Sequence, residues 1–314
     1  MRIAMTGSGY MATLMTKAIL NSSHELVAVI DNGRTVKGRR RWLRPLLAAI
    51  CTPNSQVCAI ARRRRIPIIY IDRMDDSELE PLRALRPDLI LVGGFSIILK
   101  PSIIDLPTIG CVNCHSSLLP KHRGPNPFQA VILAGESETG VTFHVIDPGI
   151  DTGPILEQHA IPVRGTDTAG TLVRRTSQLA AEKLPALLDR IEREGLNGIP
   201  QNSSLATYDK KLQGDALYLD WNKSAVELDR IVRGCFPFSI ARFRYRGQTI
   251  YVSRGKPEPE ESGRPPGEVV AIRPFTKIAT GSGTFVLMVG YTLRPVPWFW
   301  PGLVWRPPLG SRIE

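Results

Sequence analysis

The chain has 314 residues, of which 40 are Lys or Arg and 29 are Asp or Glu, giving a formal net charge of +11, and 43% are hydrophobic. That length can bury the cores of about two domains. Five cysteines, at 51, 58, 111, 114 and 235, are too sparse for a disulfide scaffold and suit a reducing cytoplasm. No run approaches the roughly 18 consecutive apolar residues of a membrane span, and Thr6, Gly7, Ser8 and Gly9 interrupt the N-terminal apolar stretch that a signal peptide would need.

In chain order, residues 1–7, 25–31, 66–71 and 88–94 are short β-branched runs with segments of helical length between them. This alternation predicts a parallel, doubly wound α/β sheet, in which ligands bind at the carboxyl ends of the strands. The turn after the first strand reads G-x-G-x-x-A at Gly7, Gly9 and Ala12, with Asp31 nineteen residues beyond Ala12. That is the fingerprint of a nicotinamide-dinucleotide site, and equally of a plain tight strand-to-helix turn. An NAD-dependent oxidoreductase therefore stays open as a remote alternative.

Between Arg34 and Arg65 stand ten Lys or Arg, at 34, 37, 39, 40, 41, 44 and 62–65, and no Asp or Glu, so ten of the net +11 charges arise there. Such a segment seeks phosphate, or is simply a solvated basic face. Further on, "GCVNCH" (110–115) combines a strand pattern with C-x-x-C-H, the attachment pattern of covalent haem. In a strand, successive side chains alternate faces, so Cys111 and Cys114 point apart while Asn113 and His115 point together. Buried structural thiols are expected, with no haem and no metal. His122, His144 and His159 lack metal-ligand spacing and read as loop or strand residues. Residues 168–194 read as one long helix, capped by a Thr or Asp of "IPVRGTDTAG" (161–170), that leads the chain away from the first domain. A polar linker follows, and from about 206 "SIARFRY", "QTIYVS", "GEVVAI" and "TFVLMV" read as strands between Gly/Pro turns. The end, "RPVPWFWPGLVWRPP", is broken by prolines and reads as an aromatic flap on that second domain, or as a contact for a partner or membrane surface.

The stretch 113–153 resembles the folate-dependent formyltransferases. It carries, in order, N-x-H-x-S-L-L-P (113–120), R-G (123–124) followed by Pro127, E-T-G-V-T (138–142) and D-x-G-I-D-T-G (147–153). "LVGGFSIILKP" (91–101) is similar to the family's pterin-binding loop, and the segment from "LATYDKKL" to "GCFPF" is similar to the domain junction of members that act on initiator Met-tRNA. The resemblance implies a Rossmann-like catalytic domain, 1–200, and a smaller C-terminal OB-like β-barrel, 206–314. It implies 10-formyltetrahydrofolate as formyl donor and Asn113, His115 and Asp151 as catalytic residues. Asn113 would donate to the oxyanion, His115 would act as an imidazolium, and Asp151 would hold that cation and relay protons through a water. The pterin would lie against Phe95, Ser96, Ile98, Leu99, Asp147 and Ile150. The acceptor would meet Ser117, Leu118, Leu119 and Pro120, with Arg39, Arg40 and Arg41 on tRNA phosphates. Initiator tRNA is the expected partner and a nucleotide-linked amino sugar the alternative acceptor; the Gly7/Gly9 turn then needs no dinucleotide.

Overall fold

A computed structural model describes residues 1–32, 57–71, 73–94, 98–291, 305 and 307–313. The chain groups into two compact units, one of Met1–Pro127, Glu138–Pro162 and Val173–Asp209, the other of Phe128–Ser137, Val163–Leu172 and Lys210–Glu314.

The strands of the first unit are β1 (Arg2–Gly7), β2 (Glu25–Asn32), β3 (Ile68–Ile71), β4 (Leu89–Gly93), β5 (Gly110–His115), β6 (Glu138–Val145) and β7 (Ile155–Pro162). They form one sheet in the order β3-β2-β1-β4-β5-β6-β7. The first five are parallel, as the strand–helix alternation predicts, but β6 and β7 join antiparallel. The expected parallel, doubly wound sheet is present, extended by these two antiparallel strands. The residues between β6 and β7 are too few for a crossover helix, so those two strands can only reverse direction. β7 alternates exposed and half-buried residues, as an edge strand with one wet face does.

The described helices are α1 (Gly9–Leu20), α2 (Val57–Arg63), α3 (Asp76–Ala84), α4 (Pro101–Ile104), α5 (Pro127–Ala134) and α6 (Ala169–Glu194). Strand alternation sorts the core onto the two faces of the sheet. Ile3, Met5, Leu89, Leu91, Val112 and Cys114 pack with Met15 and Ile19 of α1 and with Leu184, Leu187, Leu188 and Ile191 of α6. Ala4, Ile30, Ile90, Val92 and Cys111 pack on the other face with Leu79 and Leu82 of α3. Each large apolar side chain so buried contributes about 1.5–3 kcal/mol. The apolar stripe at 180, 184, 187, 188 and 191 therefore keeps α6 against the sheet, and the expectation that this helix carries the chain away from the first domain does not hold. Thr168 Oγ1 accepts from the Thr171 amide at 3.2 Å and caps the helix.

The glycines of the first turn have a packing reason. Gly7 has φ +145° and a Cβ there would stand 2.0 Å from the Gly93 carbonyl oxygen, so glycine lets the ends of β1 and β4 close together. Ser8 completes the turn with its amide and hydroxyl on the Gly94 carbonyl, at 3.2 and 3.0 Å.

The second unit contains α7 (Ala225–Cys235) and the strands β8 (Ala241–Tyr245), β9 (Gln248–Glu258), β10 (Val269–Ala271), β11 (Thr276–Ala279) and β12 (Thr284–Tyr291). The sheet is antiparallel, ordered β10-β11-β12-β9-β8, and forms a curled half-barrel. α7 opens on a capping box between Ser224 and Glu227. β11 carries no sequence signal, because "TKIA" is too short to show a period. Of the aromatic C-terminal segment, Trp305 is buried in this unit's core, with ring centroids 5.1 Å from Phe243 and 5.3 Å from Tyr245; Trp298 and Trp300 lie outside the described residues. No described helix is long and apolar enough to cross a membrane.

Cys111 and Cys114 lie in the cores on opposite faces of the sheet, so the C-x-x-C-H pattern cannot close on one ligand. Burial, with Asp105 nearby, pushes the Cys111 thiol up to about 12; burial raises Cys114 still further. Burial also outweighs Ser239 and Arg242 at Cys235, which rises to about 11. A maleimide reagent should leave Cys111, Cys114 and Cys235 unmodified in the native protein and label them on denaturation, as read by peptide mass spectrometry; native labelling of either β5 cysteine would contradict this packing.

Candidate active site

β5 presents Asn113 and His115 on one face, and the antiparallel partner β6 sets His144 directly opposite Asn113 and Thr142 opposite His115. The β6–β7 loop then folds back over this face. The Ile146 amide donates to the Cys111 carbonyl at 2.8 Å, and the Val145 amide to the Pro154 carbonyl at 2.9 Å. Inside the loop, Asp147 Oδ1 accepts from the Gly149 amide at 3.1 Å and from the Thr152 hydroxyl at 2.6 Å. This turn delivers Asp151 with φ +53°, a left-handed conformation that aspartate adopts at some cost.

The groups so assembled are in mutual contact. Asn113 Nδ2 lies 3.2 Å from Asp151 Oδ1 and 3.1 Å from His144 Nε2. His144 Nε2 lies 3.4 Å from Asp151 Oδ1, and His115 Nδ1 lies 3.6 Å from Asp151 Oδ2. The Gly124 amide donates to Asp151 Oδ2 at 2.9 Å. His115 Nε2 is 2.8 Å from the His122 carbonyl, an acceptor only, so Nε2 carries the proton and the Nδ1 lone pair faces Asp151. His144 Nδ1, 2.9 Å from the Val145 carbonyl, is a donor for the same reason, which leaves its Nε2 free to accept from Asn113. Both Asn113 amide hydrogens are thus engaged at rest.

Burial holds the His115 imidazole below its ordinary range and outweighs the opposing pull of the Asp151 charge and of the His122 carbonyl. The resting ring is therefore neutral at neutral pH. Burial is also the largest single influence on Asp151 and pushes its carboxyl up. Hydrogen bonding with His144, the charge of His115 and the Gly124 amide together overcome it and bring the group down to about 2.

The other expected site residues divide. Ser117 is buried with its hydroxyl on the Lys121 carbonyl at 2.7 Å, and Leu119 is buried with its amide on Thr142 Oγ1 at 3.1 Å. These two side chains pack within their loop, while Leu118 and Pro120 are half-buried. Leu99 packs into the sheet core, while Ile98, 67% exposed, and Ile150, 48% exposed, reach solvent. Asp147 is used within its own loop. Phe95, Ser96, Arg39, Arg40 and Arg41 lie outside the described residues; of the basic segment, Arg62–Arg65 are described and exposed. Sequence reasoning misses His144, because only the antiparallel register brings it to Asn113. The spacing of seven residues to Asp151 carries no signal by itself.

The depressed Asp151 contributes stability that is present above the ordinary carboxyl range near pH 4 and lost as pH falls toward 2. Replacing His144 by Phe removes a partner that holds the carboxyl down. Carboxyl-carbon NMR should show Asp151 titrating at higher pH, and acid unfolding should begin at higher pH. An unchanged Asp151 titration would show that His144 does not hold it.

The pattern of the formyl transferase family matches residues 1–188, and that of the formyl transferase C-terminal domain matches residues 211–293. The chain is 34% identical to the methionyl-tRNA formyltransferase of Pseudomonas fluorescens strain SBW25 over 271 residues, 86% of this chain and 82% of that one. It is 33% identical to the methionyl-tRNA formyltransferase of Nitrosospira multiformis, over 92% and 90% of the two chains. Among solved structures, the N-formyltransferase from Helicobacter canadensis in complex with folinic acid and dTDP-3-aminofucose is similar with a TM-score of 0.70 at 20% identity, covering 92% of this chain and 99% of that one, a likeness of fold. With both domain patterns in sequence order and identity above 30% across most of the chain, this protein belongs to the formyl transferase family.

Proposed function

We propose that the protein transfers the formyl group of 10-formyltetrahydrofolate to the methionyl amino group of initiator tRNA, with Asn113, His115 and Asp151 as the reacting set. The observation that carries the reading is the convergence of these three side chains on one face of β5, in a chain about 34% identical to methionyl-tRNA formyltransferases. The folate supplies a formyl carbon that a primary amine attacks, and the amine leaves formylated while the folate nitrogen regains a proton. The exposed Ile98 and Ile150, on the loops after β4 and β6, offer apolar surface for a flat ring system, and the described residues are compatible with such a donor.

The neutral His115 suits the first half of this chemistry. Its Nδ1 lone pair takes the proton that the attacking amine must lose, and the cation so formed stands 3.6 Å from the Asp151 carboxylate. Asp151, ionised throughout, stabilises that imidazolium, which then returns the proton to the departing nitrogen. One Asn113 amide hydrogen, exchanging its resting partner for the developing oxyanion, supplies a donor where charge accumulates. His144 remains to hold the other.

Because these residues act as a unit, alanine at any one of the three should lower kcat by about 10²–10⁴-fold, and the triple variant should fall little further. Full turnover by His115→Ala sinks the mechanism. The acceptor is tested by supplying 10-formyltetrahydrofolate with initiator Met-tRNA or with nucleotide-linked amino sugars; formylation of sugars alone would displace tRNA.

If Arg39, Arg40 and Arg41 neutralise tRNA phosphates, replacing all three should raise KM for tRNA. It should also flatten the log–log salt dependence of binding by about one unit for each phosphate left without its arginine. kcat at saturating tRNA should change less, since such ion pairs exist in ground and transition states alike. An unchanged KM at moderate salt would remove these arginines from the interface.

A further inference from the structure

Residues 195–211, most of the chain between the two family matches, read in sequence as a polar linker. In the structure residues 201–209 are tied to the elements that carry the reacting groups. Gln201 Nε2 donates to two loop carbonyls, of Asp151 and of Gly153, each at 2.8 Å. Its Oε1 accepts from Arg123, at 2.7 Å from Nη2 and 3.2 Å from Nε. Arg123 is itself buried; its Nη1 donates to the Tyr208 hydroxyl at 2.8 Å and its guanidinium lies 5.5 Å over the Tyr208 ring. The orientation of the Gln201 amide is fixed by its surroundings, because the reverse would set donor against guanidinium and oxygen against two carbonyls.

Residues 207–209 lie beside 122–123 in a short parallel bridge. The Arg123 amide donates to the Thr207 carbonyl at 2.9 Å, and the Asp209 amide to the Arg123 carbonyl at 3.1 Å. The His122 amide donates to Thr207 Oγ1 at 2.8 Å, and His122 Nδ1 is 2.7 Å from Asp209 Oδ2. Thus the segment fixes the residue whose carbonyl accepts from His115, and through Gln201 it grips the backbone of Asp151 itself.

We propose that Gln201 is a positioning residue of the active site: clamped by Arg123, it holds the left-handed Asp151 loop and so sets the separation of Asp151 from His115. The inference rests on the reading of Asn113, His115 and Asp151 as the reacting set. Physical reasons for the device are at hand. Asp151 occupies an unfavourable φ, so its loop needs external bonds to stay there, and its electrostatic effect on His115 depends on a separation of 3.6 Å.

Gln201→Glu discriminates positioning from mere support. It keeps an acceptor, now charged, for Arg123, but turns a carboxylate oxygen against the carbonyls of Asp151 and Gly153. Gln201→Ala removes both halves. With full-length protein, 10-formyltetrahydrofolate and initiator Met-tRNA, both variants should lose about 10–100-fold in kcat while KM for tRNA stays within about threefold. Gln201→Glu should remain folded at the assay temperature, its new charge on Arg123 offsetting part of the two hydrogen bonds lost. The ionisation of His115 in the pH–rate profile should move to lower pH, because the charge that raises it has moved away. Parental kcat and pH profile in Gln201→Glu would overturn the proposal, as would a loss that tracks only the unfolded fraction. If Gln201→Glu does not fold, Gln201→Met, of similar length and without donor or acceptor, decides by the same readouts. Asp151→Asn separates the two levels: normal turnover there defeats the reacting set, whereas an inactive Asp151→Asn beside a fully active Gln201→Glu defeats only the role of Gln201.

Discussion

A carboxylate kept ionised while largely removed from water is the constraint on which the site depends. Burial alone pushes the Asp151 carboxyl up, and it stays ionised because the Asn113 and Gly124 amides donate to it, with His144 and His115 beside it. These partners come from three elements: β5, the loop after it, and β6. A carboxylate so surrounded fixes the relative placement of all three, and in return they keep the buried charge acceptable. The same burial pulls His115 the other way and leaves it neutral, so two neighbouring groups are set apart in protonation by one environment.

The sheet that carries this arrangement is parallel where it is scaffold and antiparallel where it is site. The parallel part, closed at the β1–β4 junction by the Gly7 contact with Gly93, builds a two-faced core. Adding β6 antiparallel to β5 sets residues of the two strands side by side in direct pairs, which places His144 across from Asn113. The short reversal to β7 then throws a loop back over the same face.

The part of the chain between the two family matches belongs to this logic as well. A polar segment with little regular structure is ordinarily a passive tether, yet here its amide and backbone groups meet carbonyls and a buried guanidinium. Backbone carbonyls in a tight loop need donors, and a glutamine is long enough to reach two of them while its oxygen serves a third group.

The sequence by itself determined what depends on neighbours in the chain. The β-branched runs "RIAMTG" and "LILVG" marked strands, and the alternation of faces in "GCVNCH" assigned Cys111 and Cys114 to opposite faces and Asn113 and His115 to one. Residues 168–194 gave the long helix, observed at Ala169–Glu194, and the ordered motifs from Asn113 to Gly153 gave the family. Tertiary structure decided whatever depends on which segments meet. The α6 stripe showed a helix but not the sheet beneath it; His144 and Gln201 showed only a polar strand residue and a polar linker residue. The neutral state of His115 follows from burial, and burial is a property of the packed molecule. Local periodicity is written in the spacing of residues, whereas strand direction, desolvation and a hydrogen bond across 50 residues of chain arise only once distant segments share a surface.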